Sequence, residues 1–460
     1  MSSALYPSGF ASPGVDARGV SLMIKPVGSA CNLRCHYCYY LPVEGRLGSS
    51  SCRMSLGVLE EVLAGYLPWA ADRVTLSFQG GEPTLAGLAW FESVVGLVER
   101  YRREGQQVAF ALQTNGTLLD EAWCVFLRKH GFLVGLSLDG LASDHDAYRV
   151  MARDGGGSYH EVLRGLRLLK RHRLEHNLMV VLNDRNVVHP ERVWRELMRL
   201  GIDWVQFIPA VEWLSPDEQV RVGCHDSSWT GARTEDAWEG WRLADFSPDG
   251  AAYGRFLCRV FDAWFMAERQ RVSVRVFDHV LSVLIQGQAT ECTYASSCRG
   301  QVTIEQDGSV FGCDHYVQED WRLGRVAEEG VTLTVDGERP DAELTGERRW
   351  MADLDGARYQ RFSERKLELE GECRSCRWRA LCYGGCPKHR PARGELEGPT
   401  VLCEGYRAFF EHAMPGFQWL AGFLRAGQAP PAEVPVALAS RYGVRGASVK
   451  RVKRRKSRRR

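Results

Sequence analysis

The sequence predicts an α/β protein: a partial (β/α)6 barrel of the TIM type followed by a small cysteine-rich domain. Three observations lead there. From Ser21 to about Val211, short apolar runs alternate with longer amphipathic stretches, as expected of parallel strands joined by helical crossovers. Six such units fall short of the eight that close a full barrel. Beyond Glu291 the strand-like pieces shorten and cysteines crowd together.

Size and composition fit this division. A chain of 460 residues suggests two or three domains. With 45% hydrophobic and 25% charged residues it reads as an ordinary soluble protein. No run approaches the roughly 18 uninterrupted apolar residues of a membrane span. The start, Met1–Pro7, lacks a basic region followed by an apolar one, so no export signal is expected. Fifteen cysteines, most of them clustered, point to metal ligation in a reducing cytoplasm rather than to disulfides. The net charge of +2 hides an asymmetry: Lys450–Arg460 holds nine Lys and Arg, and without them the body stands at −7. The tail reads as a solvated extension, so neither a membrane nor a nucleic-acid partner is expected.

The expected strands are Ser21–Lys25, Arg73–Phe78, Gln107–Leu112, Phe132–Leu138, Asn177–Leu182 and Asp203–Ile208. Apolar residues recur at three- and four-residue steps in Leu56–Tyr66, Trp90–Arg103, Glu121–Lys129, Tyr159–His172 and Pro190–Leu200, which predicts helices. Residues 1–20 form an N-terminal extension. The barrel occupies 21–250, with an aperiodic insertion at about 214–250. Connecting helices fill 251–290, including Tyr253–Glu268, and the cysteine-rich domain spans 291–425 with strand-like Gln301–Glu305 and Ser309–Cys313. Tyr406–Arg425 reads as a closing helix that Pro415 should break or restart. Residues 426–460 are a proline-containing linker (Gln428–Val436) and the basic tail.

The stretch that organises the chain is Cys31–Tyr40, where Cys31, Cys35 and Cys38 are spaced C-x3-C-x2-C. Thiolates this close converge on a soft metal centre. A four-iron cubane offered three thiolates keeps one iron open for a substrate or cofactor. Zinc or a structural role is the competing reading, although zinc sites usually show two C-x2-C pairs or add His. The second strand ends in Gln79-Gly-Gly-Glu-Pro83, where Glu82 and exposed backbone groups could hold the amino group of a bound amino-acid moiety. Gln113–Gly116 and Ser137–Gly140 mark two further strand ends, and Arg149 in the following loop could meet a carboxylate.

In the C-terminal region Cys292, Cys298 and Cys313 are spaced C-x5-C-x14-C. Cys373, Cys376, Cys382, Cys386 and Cys403 follow as C-x2-C-x5-C-x3-C-x16-C. Eight thiolates suffice for two fully ligated 4Fe–4S clusters if the group of five lends one to the group of three. Two zinc sites would use the same number.

These pieces resemble the anaerobic sulfatase-maturating enzymes, radical S-adenosylmethionine (SAM) proteins with a C-terminal SPASM domain. The matching stretches are Cys31–Tyr40, Gln79–Leu88, Leu112–Leu118, Val134–Gly140, Gly308–Val317 and the five-cysteine array, together spanning about Ser21–Cys403. The insertion near 214–250, the longer Tyr40–Met54 segment and the basic tail depart from the family. The resemblance implies three 4Fe–4S clusters and SAM as cofactors. Cys31, Cys35 and Cys38 would bind the SAM-activating cluster, and Tyr40, Gly81, Ser137, Arg149 and Val211 would line the SAM site. Cys292, Cys298, Cys313 and Cys386 would bind one auxiliary cluster; Cys373, Cys376, Cys382 and Cys403 would bind the other. Asp314 would be the proton acceptor.

The implied reaction is oxidation of a Cys or Ser side chain in a sulfatase polypeptide to formylglycine. A 5′-deoxyadenosyl radical removes a hydrogen from Cβ, Asp314 takes the thiol or hydroxyl proton, and an auxiliary cluster takes the second electron. A flavodoxin or ferredoxin is the expected electron donor. Two other readings share these cysteines: a SPASM enzyme that crosslinks a peptide through thioether or carbon–carbon bonds, and a non-catalytic iron–sulfur electron-transfer protein. The Cys313-Asp-His-Tyr316 context favours the maturase over the first, and the open three-cysteine site argues against the second.

Overall fold

In the computed structural model the described residues are 20–41, 53–214, 221–222, 242–269, 271–326, 356–364, 366–367, 369, 371–390 and 399–443. The N-terminal extension, most of the insertion, Cys52, Cys224 and the basic tail lie outside them.

Six strands, β1 (Ser21–Ile24), β2 (Arg73–Phe78), β3 (Gln107–Thr114), β4 (Leu133–Ser137), β5 (His176–Leu182) and β6 (Trp204–Pro209), pair in parallel and in chain order. The crossovers carry α1 (Leu56–Trp69), α2 (Leu88–Tyr101), α3 (Glu121–Lys129), α4 (Ala142–Asp146), α5 (Tyr159–Arg171) and α6 (Pro190–Arg199). This is the expected α/β architecture, and its element boundaries follow local chemistry. The Ser55 side chain caps α1 by accepting from Val58 N–H, and Asp120 caps α3 by accepting from Trp123 N–H. Helix α5 turns Val162, Leu163, Leu166 and Leu169 onto the sheet, where they meet buried strand residues such as Leu136 and Leu178 in one core.

After β6 the chain forms a small antiparallel sheet from β7 (Trp213–Leu214), β8 (Arg221–Val222) and β9 (Arg242–Leu243), so the start and end of the expected insertion are paired strands. Then come α7 (Gly250–Ala263), β10 (Ser273–Val274) and α8 (Arg275–Gln286). Strand β10 adds to β6 in parallel. On the opposite edge β11 (Gln301–Ile304) adds to β1 in parallel, with Ser21 opposite Gln301 and Ile24 opposite Ile304. Strands β12 (Ser309–Phe311) and β13 (Arg322–Arg325) continue antiparallel. One ten-stranded sheet therefore runs from the barrel into the cysteine-rich region, which places that region directly beside the Cys31 loop.

The longer helices that follow are α9 (Ala357–Glu364), α10 (Cys403–Arg425) and α11 (Val436–Tyr442), with single helical turns at Glu372–Ser375 and Arg379–Cys382 between the first two. Contrary to the sequence expectation, Pro415 does not break α10. The reason lies in α11, downstream of the proline-rich linker. The Glu411 carbonyl, which loses its N–H partner to Pro415, accepts instead from Arg441 Nη2 at 3.3 Å. The Tyr442 hydroxyl enters the next rung, accepting from Gly416 N–H at 3.1 Å and donating to the His412 carbonyl at 3.0 Å. Supplying the orphaned groups removes much of the penalty a proline imposes. Among the described residues no helix is long and apolar enough to cross a membrane.

Candidate active site

The Cys31 loop leaves the end of β1 and is held from outside by the segment after α4. Arg34 N–H donates to the Val150 carbonyl at 2.8 Å and His36 N–H to the Tyr148 carbonyl at 3.0 Å, while Ala152 N–H donates to the Asn32 carbonyl at 2.9 Å. From inside, Asn115 Nδ2 donates to Asn32 Oδ1 at 2.9 Å. These bonds fix the path of the loop on both sides. Its thiols interact. Burial first, then Glu82 and Cys38, push the Cys31 thiol up to about 12. Burial, Cys38 and Cys31 push Cys35 up to about 12, with Arg149 opposing. Mutually repelling sulfurs that resist ionisation until a cation joins them are a donor set suited to an iron–sulfur core.

Glu82 differs from its sequence reading. It is fully buried, and its carboxylate accepts from Thr84 Oγ1 (2.6 Å), Thr84 N–H (3.1 Å), Thr114 Oγ1 (2.7 Å) and Asn115 N–H (2.8 Å). It is not an exposed holder of an amino group; it ties the ends of β2 and β3 together. Gly81 is required by packing: a Cβ there would lie 2.0 Å from the Ala30 carbonyl oxygen. The glycine lets the β2 loop lie against the chain entering the Cys31 loop.

Arg149 meets a carboxylate of its own chain. Its guanidinium grips Asp139 in a fork, Nε to Oδ2 at 2.9 Å and Nη2 to Oδ1 at 3.1 Å, with both residues buried. Tyr37 also donates to Asp139, as does Val181 N–H at 2.9 Å. Burial alone would raise the Asp139 pKa, but Arg149 holds it below the usual carboxylate range. His145 completes the cluster: Nδ1 accepts from Asp139 N–H at 3.3 Å, and Nε2 lies 3.0 Å from Ser158 Oγ, which donates to the Arg149 carbonyl. Burial pushes His145 down to about 3. Of the other residues expected at the SAM site, Ser137 accepts from Gln113 Nε2 at 3.0 Å. Val211 is buried beyond β6, and Tyr40 is buried with its hydroxyl on Glu305. Burial, opposed by Lys25 and Tyr40, lifts Glu305 to about 7.

Asp314 joins the Cys31 loop to the cysteine-rich region. Its Oδ2 accepts from Tyr39 and from Gln79 Nε2 at 3.2 Å, and lies 3.5 Å from Lys25 Nζ. Its Oδ1 is 3.6 Å from Cys313 Sγ. The His315 ring sits 4.3 Å from that of Tyr39. Burial works to raise the Asp314 pKa, but Lys25, then His315 and Tyr39, hold it well below the usual carboxylate range. The group is an ionised acceptor. A buried ion pair, Lys388–Glu212, closes the opposite side, with Lys388 Nζ 4.7 Å from the Tyr39 ring centre. Sequence reasoning missed Lys25, Tyr39, Gln79, Glu212 and Lys388 as site residues. Two of them carried a signal: Gln79 as the first residue of the glycine-rich strand end, and Tyr39 as part of the Cys31–Tyr40 stretch.

The C-terminal thiols lie in one another's fields. Besides burial, Cys292 feels Cys386 and Cys298, and Cys313 feels Asp314, then Cys292 and Cys386. Besides burial, Cys382 feels Cys376, Cys373 and Cys403. Cys382 and Cys386, four positions apart, thus face different sets. The turn between them explains how: Tyr383, Gly384 and Gly385 all have positive φ, at 43°, 73° and 74°, a left-handed run that glycine allows at little steric cost. None of the thirteen described cysteines forms a disulfide. Cys124 is a buried core thiol, and Cys258 Sγ lies 3.9 Å from the Ala408 carbonyl.

A parallel barrel whose strand-end loop carries three closely spaced cysteines defines the class: residues 26–206 match the radical SAM superfamily, and this is a radical SAM enzyme. The serine-type anaerobic sulfatase-maturating enzyme of Bacteroides thetaiotaomicron is 32% identical over 90% of this chain and 94% of its own length. The cysteine-type enzyme of Clostridium perfringens is 31% identical over 86% of this chain and 96% of its own. The solved structure of native anSMEcpe with bound AdoMet and a Cp18Cys peptide superposes with a TM-score of 0.72, at 30% identity, over 88% of this chain and 99% of that one. The chain belongs to the anaerobic sulfatase-maturating enzymes.

Proposed function

We propose that the space between the Cys31–Cys38 loop and the Cys313–Asp314 pair is where this enzyme oxidises a Cys or Ser side chain of a sulfatase polypeptide to formylglycine. The observation that carries this reading is the position of Asp314. It is an ionised carboxylate bonded to Tyr39 of the three-cysteine loop and adjacent to Cys313 of the second thiol set. The relatives include both serine-type and cysteine-type enzymes, so either side chain fits the family.

Cys31, Cys35 and Cys38 would hold the SAM-activating cluster. The sets Cys292–Cys298–Cys313–Cys386 and Cys373–Cys376–Cys382–Cys403 would hold two more, making three 4Fe–4S clusters. When bound, these groups and SAM supply the electron and the carbon radical that remove a hydrogen from the substrate side chain. The chain's own residues do the rest. Asp139, held by Arg149, orients Tyr37 and hence the Cys31 loop. Asp314 accepts the substrate's thiol or hydroxyl proton. Lys25 and Gln79 keep its carboxylate ionised and aimed. The Lys388–Glu212 pair joins the chain beyond β6 to the turn after Cys386. Tyr40, Gly81, Ser137, Arg149 and Val211 remain the proposed surround of SAM; the buried bonds of Tyr40 and Arg149 suit them to shaping that site.

The test is Asp314→Asn. Loss of a positioned base typically costs 10²–10⁴-fold. Formylglycine formation should fall by about that factor while SAM cleavage to 5′-deoxyadenosine persists. An unchanged formylglycine yield removes Asp314 from the mechanism.

A further inference from the structure

Buried cations stand around the thiols of Cys292, Cys298, Cys313 and Cys386. Lys366, in the turn after α9, is fully buried. Its Nζ donates to the carbonyls of Cys292 at 2.8 Å and Thr293 at 2.6 Å. Among the described residues no carboxylate pairs with it. Arg390 is 2% exposed; its Nη2 donates to the Tyr383 carbonyl at 3.3 Å, and it is near enough to feel Cys298, Cys386 and Cys373. It therefore lies between the two C-terminal sets. Lys388, beyond Cys386, is already matched by Glu212.

The Cys292–Cys298–Cys313–Cys386 set also has a buried carboxylate beside it: Asp314 Oδ1 lies 3.6 Å from Cys313 Sγ, so Lys366 and Arg390 are the charges that offset it. Adding an electron to a centre adds negative charge. In a low-dielectric interior a neighbouring cation favours that step and a neighbouring carboxylate opposes it.

We infer that Lys366, together with Arg390, is a positioning residue for the electron: their buried charges make the Cys292–Cys298–Cys313–Cys386 centre easier to reduce than it would be without them. The inference rests on the reading that this set and the Cys31 set hold iron–sulfur clusters. The electron count closes. Taking a CH2–SH or CH2–OH group to the thioaldehyde or aldehyde level removes one hydrogen atom, one proton and one electron. The hydrogen atom goes to the deoxyadenosyl carbon and the proton to Asp314. The electron goes to the centre beside Lys366.

The test compares Lys366→Gln, which keeps a hydrogen-bond donor without the charge, with Lys366→Arg, which keeps the charge. Wild type and variants are reconstituted anaerobically, iron and sulfide are counted, and midpoint potentials are read by electron paramagnetic resonance during a redox titration. Lys366→Gln should move one auxiliary midpoint to more negative potential, with the Cys31 centre unmoved and Lys366→Arg close to wild type. An auxiliary midpoint that is the same in Lys366→Gln and wild type overturns the inference. If Lys366→Gln loses iron, Arg390→Gln replaces it, since it removes charge beside Cys298 and Cys386 without touching the Cys292 carbonyl; an unmoved midpoint there overturns the inference equally. Wild-type protein that takes up iron only at the Cys31 set would instead overturn the reading on which the inference stands.

Discussion

His145 shows how a single side chain fixes the site's geometry. Its Nδ1 must accept from Asp139 N–H, so the imidazole must stay neutral, and burial holds it to about 3 against an ordinary 6.5. The two buried charges facing it, Asp139 and Arg149, act in opposite directions, Asp139 raising and Arg149 lowering its pKa. The folded value is the lower one, so between these limits the unfolded chain binds more protons. This contribution to stability is complete above about pH 6.5 and is lost as the pH falls toward 3. The slope is at most about 1.4 kcal/mol per pH unit. Urea unfolding of His145→Gln should therefore lose less stability than wild type between neutral pH and pH 5. Parallel decline of the two proteins would contradict the assignment. The chain showed only that Arg149 could meet a carboxylate; that the carboxylate is Asp139, and that His145 and Ser158 join it, was not legible, because these look like separate loop residues until the fold brings them together. Glu82 was misread for a related reason: a carboxylate in a glycine-rich turn looks solvated, yet two threonine hydroxyls and two backbone N–H groups enclose it.

At the scale of elements, periodicity carried most of the information. The six parallel strands and their helices lie where alternating and three- or four-residue patterns put them, to within a few residues. Pro415 was the exception, since its local rule is overridden by Arg441 and Tyr442 from a helix that the proline-rich linker concealed. The Cys382–Cys386 turn carries the clearest prediction. A Cβ at Gly385 would lie 2.9 Å from Thr400 at φ 74°, so Gly385→Val cannot keep this turn. Iron should be lost from the C-terminal sets while SAM cleavage at the Cys31 set continues. Full wild-type iron in Gly385→Val would show that the turn does not partition the thiols. The cysteine count asked only that one of the five be lent, and the resemblance named Cys386; the left-handed run at Tyr383–Gly385 supplies a physical way to turn Cys386 away from Cys382.

At the scale of the molecule, the continuous sheet matters most. Pairing of β11 with β1 sets Cys313 and Asp314 beside Tyr39, some 275 residues away in sequence. Composition and spacing indicated both halves of the chemistry, but long-range contacts such as Lys25–Asp314 and Lys388–Glu212 leave no local trace. The central claim is that the two halves form one oxidising site. It is tested by anaerobic incubation of the reconstituted enzyme with SAM, a reductant and sulfatase peptides bearing the target Cys or Ser, with the peptide followed by mass spectrometry and aldehyde trapping. The predicted result is an aldehyde-bearing formylglycine peptide formed together with 5′-deoxyadenosine and methionine. Cleavage of SAM with the peptide unchanged, or a crosslinked peptide that carries no aldehyde, would contradict it.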